Sequence, residues 1–284
     1  MIQYKQLVKT IVIILACVFL SILIQNVSMI WHVFKLYSFE YILHGITYIL
    51  MSFIVVKWFI TKILKSDLNT YRILPIKFFG ICFFIGCVQL ISVFFTYFIF
   101  VKGRFIFPHY NSWIEFSEMF LSASIITGIA APLLEEMIFR GILLSYLEKK
   151  YNIYVAIFIP SILFATLHIF NGKLNLQSLL LLLLGGVLVG IMYSLATLIF
   201  ESIWASVIIH IIWNLGGLFN FSQRNDNWGL VQYILSEKNV FITGGDYGVD
   251  TSIISIISYI FVILFLLVVT KTKSKNNKLF EKNN

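Results

Sequence analysis

The sequence predicts an all-α, polytopic integral membrane protein, a helical bundle of about eight transmembrane helices. Composition is the first reason: of 284 residues, 60% are hydrophobic and 12% charged, and the mean hydropathy is +0.92. A soluble domain carries about 25% charge, so most of this surface is suited to lipid. The second is length, because apolar runs near the roughly 20 residues that a spanning helix needs recur along the chain. The third is the leucine run Leu179 to Leu184, which contradicts the short alternating segments of a membrane β-barrel.

Hydropathy places spans near 8–30, 41–64, 77–101, 115–148, 153–171, 175–198, 201–219 and 252–270. The first is too long for a signal-peptide apolar region, and no small-residue cleavage site follows it, so it is read as a retained span. Fourteen basic residues fall on one side of this alternation and six on the other, with Arg140 left inside. The positive-inside rule then puts both termini in the cytosol of a multi-pass cell-membrane protein. The net charge of +8 sits in short blocks between apolar runs, with no basic groove interleaved with aromatics, which excludes a nucleic-acid partner. Cys17, Cys82 and Cys87 lie in apolar runs without zinc-like spacing and read as small packing residues.

Three regions result: residues 1–111 with helices 1–3, a core at 112–219 with helices 4–7, and 220–284 with an external loop, helix 8 and a basic cytosolic tail. Gly186 and Gly190 have the GxxxG spacing of close helix packing. The loop from Phe219 to Asp250, with its turn-rich FITGGDYGVDTS, reads either as a lid or as a connector. The tail KTKSKNNKLFEKNN reads as disordered and surface-lying.

Ionisable groups inside a membrane cost at least ~2.5–3.5 kcal/mol each on insertion scales and are functional candidates. Those well inside the spans are Glu135, Glu136 and Arg140 in the fourth, His168 in the fifth, and His210 with Asn214 in the seventh. His44 lies near the start of the second and Glu201 opens the seventh, whereas His32 and His109 fall in external loops. Glu136 and Arg140 are spaced i,i+4 and form a structural ion pair on one helix face. Glu135 is rotated by ~100° and has Phe139 at its own i+4 position, so it lacks a local partner. His210 and Asn214, also i,i+4, point one way. Each alone reads as interhelical hydrogen-bond glue. At ~1.5 Å rise per residue, Glu135, His168, His210 and Asn214 lie at similar depths, roughly 14–24 Å from the cytosolic boundary.

A carboxylate, two imidazoles and an amide at one depth suit hydrolysis of a carbonyl by activated water. The carboxylate takes the proton, one His positions the water or shuttles its proton, and the other His with the Asn amide donates to the oxyanion. Glu135, His168 and His210 could instead hold zinc with one open position. Spacing does not choose between them.

These residues carry a family resemblance. EEMIFR (Glu135 to Arg140), FATLH (Phe164 to His168) and HIIWN (His210 to Asn214) resemble the EExxxR, FxxxH and HxxxN motifs of the CPBP intramembrane proteases. That group contains the type II CAAX prenyl endopeptidases and the bacterial Abi proteins. The resemblance covers about Ser112 to Gly217. It implies a glutamate-dependent endopeptidase acting on a membrane-embedded or lipidated peptide. Glu135 would be the water-activating carboxylate, His168 its partner, and His210 and Asn214 the oxyanion hole. Glu136, Arg140 and Phe164 would support them. It favours a metal-free mechanism, with zinc as the alternative, since HExxH is absent and only two His are sensible ligands. Richness in Ile, Phe, Lys and Asn suggests an AT-rich Gram-positive source, where similar proteins are linked to bacteriocin self-immunity and peptide-signal maturation. The competing readings are a non-catalytic scaffold or immunity protein that binds a sensor kinase or receptor, and a transporter. The transporter lacks paired broken helices in two halves.

Overall fold

Apolar composition and N-terminal capping together set the helices. The structure, a computed structural model, describes residues 2–281. Its long helices are α1 (Ile2–Ser28), α2 (Ser38–Trp58), α3 (Gly80–Phe100), α4 (Trp113–Lys150), α5 (Ile153–Leu167), α6 (Leu176–Phe200), α7 (Ile203–Leu215) and α8 (Ile253–Glu281). Helices α4 to α7 each begin at a side chain that accepts a backbone N–H of the first turn. The caps are Ser112 to Glu115, Asn152 to Val155, Asn175 to Ser178 and Ser202 to Trp204. Such caps satisfy donors that a helix start leaves unpaired.

Among the described residues, seven helical stretches are long and apolar enough to cross a membrane. The expected seventh span is the exception: its apolar helix, Ile203–Leu218, is shorter than a full crossing. It packs against α3, α4 and α6, so its backbone is covered by protein and need not reach across lipid. Glu201 does not open this span. It is exposed and left-handed (φ 49°), and it forms the C-cap of α6 in the tight turn to α7. The basic tail also departs from expectation: α8 continues through Glu281, because extending an existing helix avoids the cost of nucleating one. The expectation for residues 282–284 lies outside the described residues.

Helix α4 is the centre of the bundle and holds EEMIFR. At 38 residues it is about 57 Å long, well beyond the ~30 Å hydrocarbon thickness. Two stretches of wide π-helical turns, Ser122–Ala130 and Met137–Leu144, flank the six residues Ala131–Glu136. Such turns shift the facing of side chains locally and often occur at functional sites. Residues 137–144 are all buried, and Met137, Ile138, Phe139, Ile142, Leu143 and Leu144 share one apolar core with Cys17 and Ile24 of α1 and Tyr48 and Val56 of α2.

The GxxxG pair brings α6 against α5. A Cβ on Gly186 would sit 2.7 Å from the Ala165 Cβ, and one on Gly190 would sit 2.7 Å from the Ser161 Cβ and 2.8 Å from its Cα. That contact fixes α5, and with it the position of His168 at its end.

Outside the bundle, the loop after α7 is structured. Strands β1 (Gly103–Ile106), β2 (Phe219–Ser222) and β3 (Val231–Leu235) form a sheet in the order β1-β3-β2, with β1 antiparallel and β2 parallel to β3. Phe98, Phe105, Phe219, Phe221 and Tyr233 stack together and seat the sheet on α3. Gly190→Ala should cost about 1–3 kcal/mol through overpacking against the α5 backbone. Thermal unfolding in detergent reads that loss, and an unchanged midpoint would show that the two helices can part freely.

Candidate active site

Two adjacent glutamates of α4 have opposite fates. Glu136 and Arg140 are completely buried, and the Arg140 guanidinium donates to Glu136 Oε1 at 3.1 Å. Its other terminal nitrogen donates to the Gly190 carbonyl of α6 at 3.2 Å. The guanidinium carbon also lies 4.8 Å from the Phe164 ring centroid and 5.3 Å from that of Tyr193, where the π faces partly replace lost hydration. The i,i+4 pair read from the sequence is therefore present.

The sequence did not disclose the second partner of Glu136. His210 Nδ1 lies 3.0 Å from Glu136 Oε1. A carboxylate only accepts, so Nδ1 is the protonated donor and Nε2 faces away from Glu136. That Nε2 lies 3.7 Å from Glu135 Oε2. The imidazole thus stands between the two glutamates, stacked at 4.6 Å and 20° on Tyr193.

Glu135 keeps 25% of its side-chain surface accessible. It lines a cavity of about 350 Å³ together with His168, His210 and Asn214, so all four residues expected at the site share one space. His168 donates from Nδ1 to the Phe164 carbonyl at 2.7 Å, because a carbonyl only accepts. Its Nε2 lone pair is thereby left for another partner. Phe164 also has its ring 4.5 Å from that of His168 and 6.1 Å from that of His210. Asn214 donates to the Thr127 carbonyl at 2.9 Å, which uses one of its two amide N–H groups.

The other singled-out histidines lie elsewhere. His32 meets Glu40 at 2.9 Å through Nδ1 and His44 at 2.9 Å through Nε2, a separate cluster on α2 and the turn that follows α1. The His109 backbone exchanges two hydrogen bonds with Asn227 in the outer loops.

Three ionisable residues of the cavity were not foreseen: Tyr48 from α2, and Tyr247 and Asp250 from the turns before α8. Asp250 is exposed, and it lines the cavity. Loss of bulk water raises its carboxyl above the usual carboxylate range, against the indole N–H of Trp213 and the nearby His168 and His210. The only sequence signal was the loop's turn chemistry, which marks a structured loop but not its destination.

No group of three or more His, Cys, Asp or Glu among the described residues is placed to hold a metal ion. The possible zinc ligands Glu135, His168 and His210 meet at the cavity, but the one contact among them is a histidine nitrogen facing a carboxylate.

The fold and site define a multi-pass helical membrane protein with a polar cavity inside its bundle. Residues 117–216 match the family model described as type II CAAX prenyl endopeptidase Rce1-like, and this segment holds every residue of the three motifs. The match supports a CAAX-type intramembrane endopeptidase in general terms. Neither the curated proteins nor the solved structures compared with the chain give a match.

Arg140→Leu should cost about 3–5 kcal/mol, because it strands the Glu136 charge in the core. Adding Glu136→Leu should recover part of that loss in thermal unfolding, and a double variant less stable than Arg140→Leu would contradict the pairing. Asp250→Asn tests the other carboxyl. A raised native pKa penalises the ionised form, so the penalty is absent below the unfolded-state value and complete above the native one. Asp250→Asn should therefore melt higher than wild type at pH 8, with the gap closing as pH falls through the carboxylate range. A gap that widens towards acid would contradict this.

Proposed function

We propose that the protein is an intramembrane endopeptidase that cleaves a membrane-associated or lipidated peptide with water activated by Glu135. One observation carries the reading: of the three charges in EEMIFR, only Glu135 opens onto the cavity shared with His168, His210 and Asn214. In this mechanism Glu135 takes a proton from water, and the water oxygen attacks the peptide carbonyl carbon. The free Nε2 of His168 accepts the water's other hydrogen and orients it. The oxyanion accepts from the second amide N–H of Asn214 and from the Nε2–H of a His210 imidazolium, which keeps both ring protons throughout the cycle. The C–N bond then breaks, and the Glu135 carboxyl returns its proton to the leaving amine. General base catalysis of this kind contributes about 10²–10⁴-fold, and each oxyanion donor about 10²–10³-fold.

The mechanism needs no metal. Zinc held by Glu135, His168 and His210 is the alternative, and it would polarise the carbonyl and the water. Metal analysis of active protein separates the two. We place the protein in a bacterial cell membrane with both termini cytosolic, from the distribution of its basic residues. Bacteriocin self-immunity and peptide-signal processing are the roles that best suit such an activity.

Peptides from membranes of cells carrying wild-type or Glu135→Gln protein test the reading. Uncut peptides should accumulate with Glu135→Gln, and the purified variant should lose cleavage by at least about 10²-fold while its melting temperature is retained. Cleavage by purified Glu135→Gln protein at the wild-type rate would overturn the mechanism.

A further inference from the structure

Strand β2 begins five residues after Asn214, at the mouth of the catalytic cavity. It is an edge strand, with β3 on one side only. Side chains of a strand alternate between its two faces, so a cavity over one face touches alternate residues. The space beside β2 does not follow that rule. One cavity touches Phe219, Asn220 and Phe221 in succession, and the next touches every residue from Asn220 to Arg224. Contact with consecutive residues fits open space along the edge of the strand and of the turn that follows it, where backbone N–H and C=O groups point.

The opposite wall is made by Tyr247 and Gly248, which line both cavities. Gly248 has φ +97°, and a Cβ built there meets nothing within 4 Å, so this wall borders empty space. The cavities also share walls with the catalytic one. The first shares Trp213, Gly217, Tyr247 and Asp250 with it, and the second shares Asn220, Phe221, Tyr247 and Gly248 with the first. Their volumes are about 350, 140 and 440 Å³ from the catalytic centre outwards. These adjoining cavities make up a groove whose innermost member is lined by Glu135 and His210.

We propose that an extended peptide segment of the substrate binds along the free edge of β2 as a fourth strand and delivers the next peptide bond to Glu135. The proposal rests on the endopeptidase reading for the fate of that bond, but the binding itself does not need catalysis. Main-chain hydrogen bonds supply affinity in strand addition, and alternate side chains supply selectivity. Four strand residues span about 13 Å, so the groove grips a short stretch just outside the bundle and tolerates varied sequence. A substrate cut here presents an unfolded segment next to its membrane-embedded or lipidated part.

The test uses full-length Glu135→Gln protein in lipid nanodiscs, with a photo-crosslinking amino acid at Gln223, just past β2. A second protein carries it at Arg104 on β1, the sheet's other outer strand. The probe is a biotinylated random decapeptide library, alongside the same library N-methylated at every backbone amide. Labelling at position 223 should exceed that at 104 by about tenfold and fall about tenfold with the N-methylated library, as expected for losing two or more main-chain hydrogen bonds. Equal labelling at both positions, or by both libraries, overturns the proposal. Wild-type cleavage of the library without labelling at 223 overturns the groove and leaves the protease reading standing. Labelling at 223 without any wild-type cleavage supports the groove and counts against the protease reading.

Discussion

The Glu136 carboxylate, sealed at the centre of the bundle, is the constraint on which the rest depends. It accepts from Arg140 and from His210 at once, and Arg140 also holds the Gly190 carbonyl. Three helices, α4, α6 and α7, are therefore tied at one point. Burying such charges is expensive, and in energy alone a hydrophobic replacement can be as good. What the charges provide is direction: a carboxylate and a guanidinium bind only where their partners lie. Here the partner of interest is the His210 ring, fixed with Nδ1 towards Glu136 and Nε2 towards Glu135.

That fixed ring separates the three charges of EEMIFR into two tasks. Glu136 and Arg140 hold, and Glu135 faces the cavity. The close approach of α5 to α6 through Gly186 and Gly190 brings in His168, whose Nδ1 is tied to the Phe164 carbonyl. The Phe164 ring touches Arg140, His168 and His210 together, so the apolar member of the FxxxH motif couples the holding pair to both histidines. The outer loop completes the enclosure with Tyr247 and Asp250, and its sheet leads away from the site along β2.

Much of this was legible in the sequence wherever a residue's role follows from helical spacing. The spans, the Glu136–Arg140 pair, the shared facing of His210 and Asn214 and the close packing at Gly186 and Gly190 all depend on contacts or faces three to four residues apart. Contacts made through space between distant segments were not legible. Nothing local links His210 to Glu136, 74 positions away, and nothing in FITGGDYGVDTS shows that Asp250 ends beside His168. The short α7 was read as a full span because hydropathy records what is apolar, not whether protein or lipid covers it. The π-helical turns of α4 leave no trace in a 3.6-residue pattern, since they change register only locally.

The proposed division between a holding and a reacting glutamate is most directly tested by comparing Glu135→Gln with Glu136→Gln in nanodiscs, with melting temperature and peptide cleavage measured on the same samples. The account predicts that Glu135→Gln melts like wild type and does not cleave, whereas Glu136→Gln melts clearly lower. Glu135→Gln melting far below wild type while Glu136→Gln melts normally would contradict it.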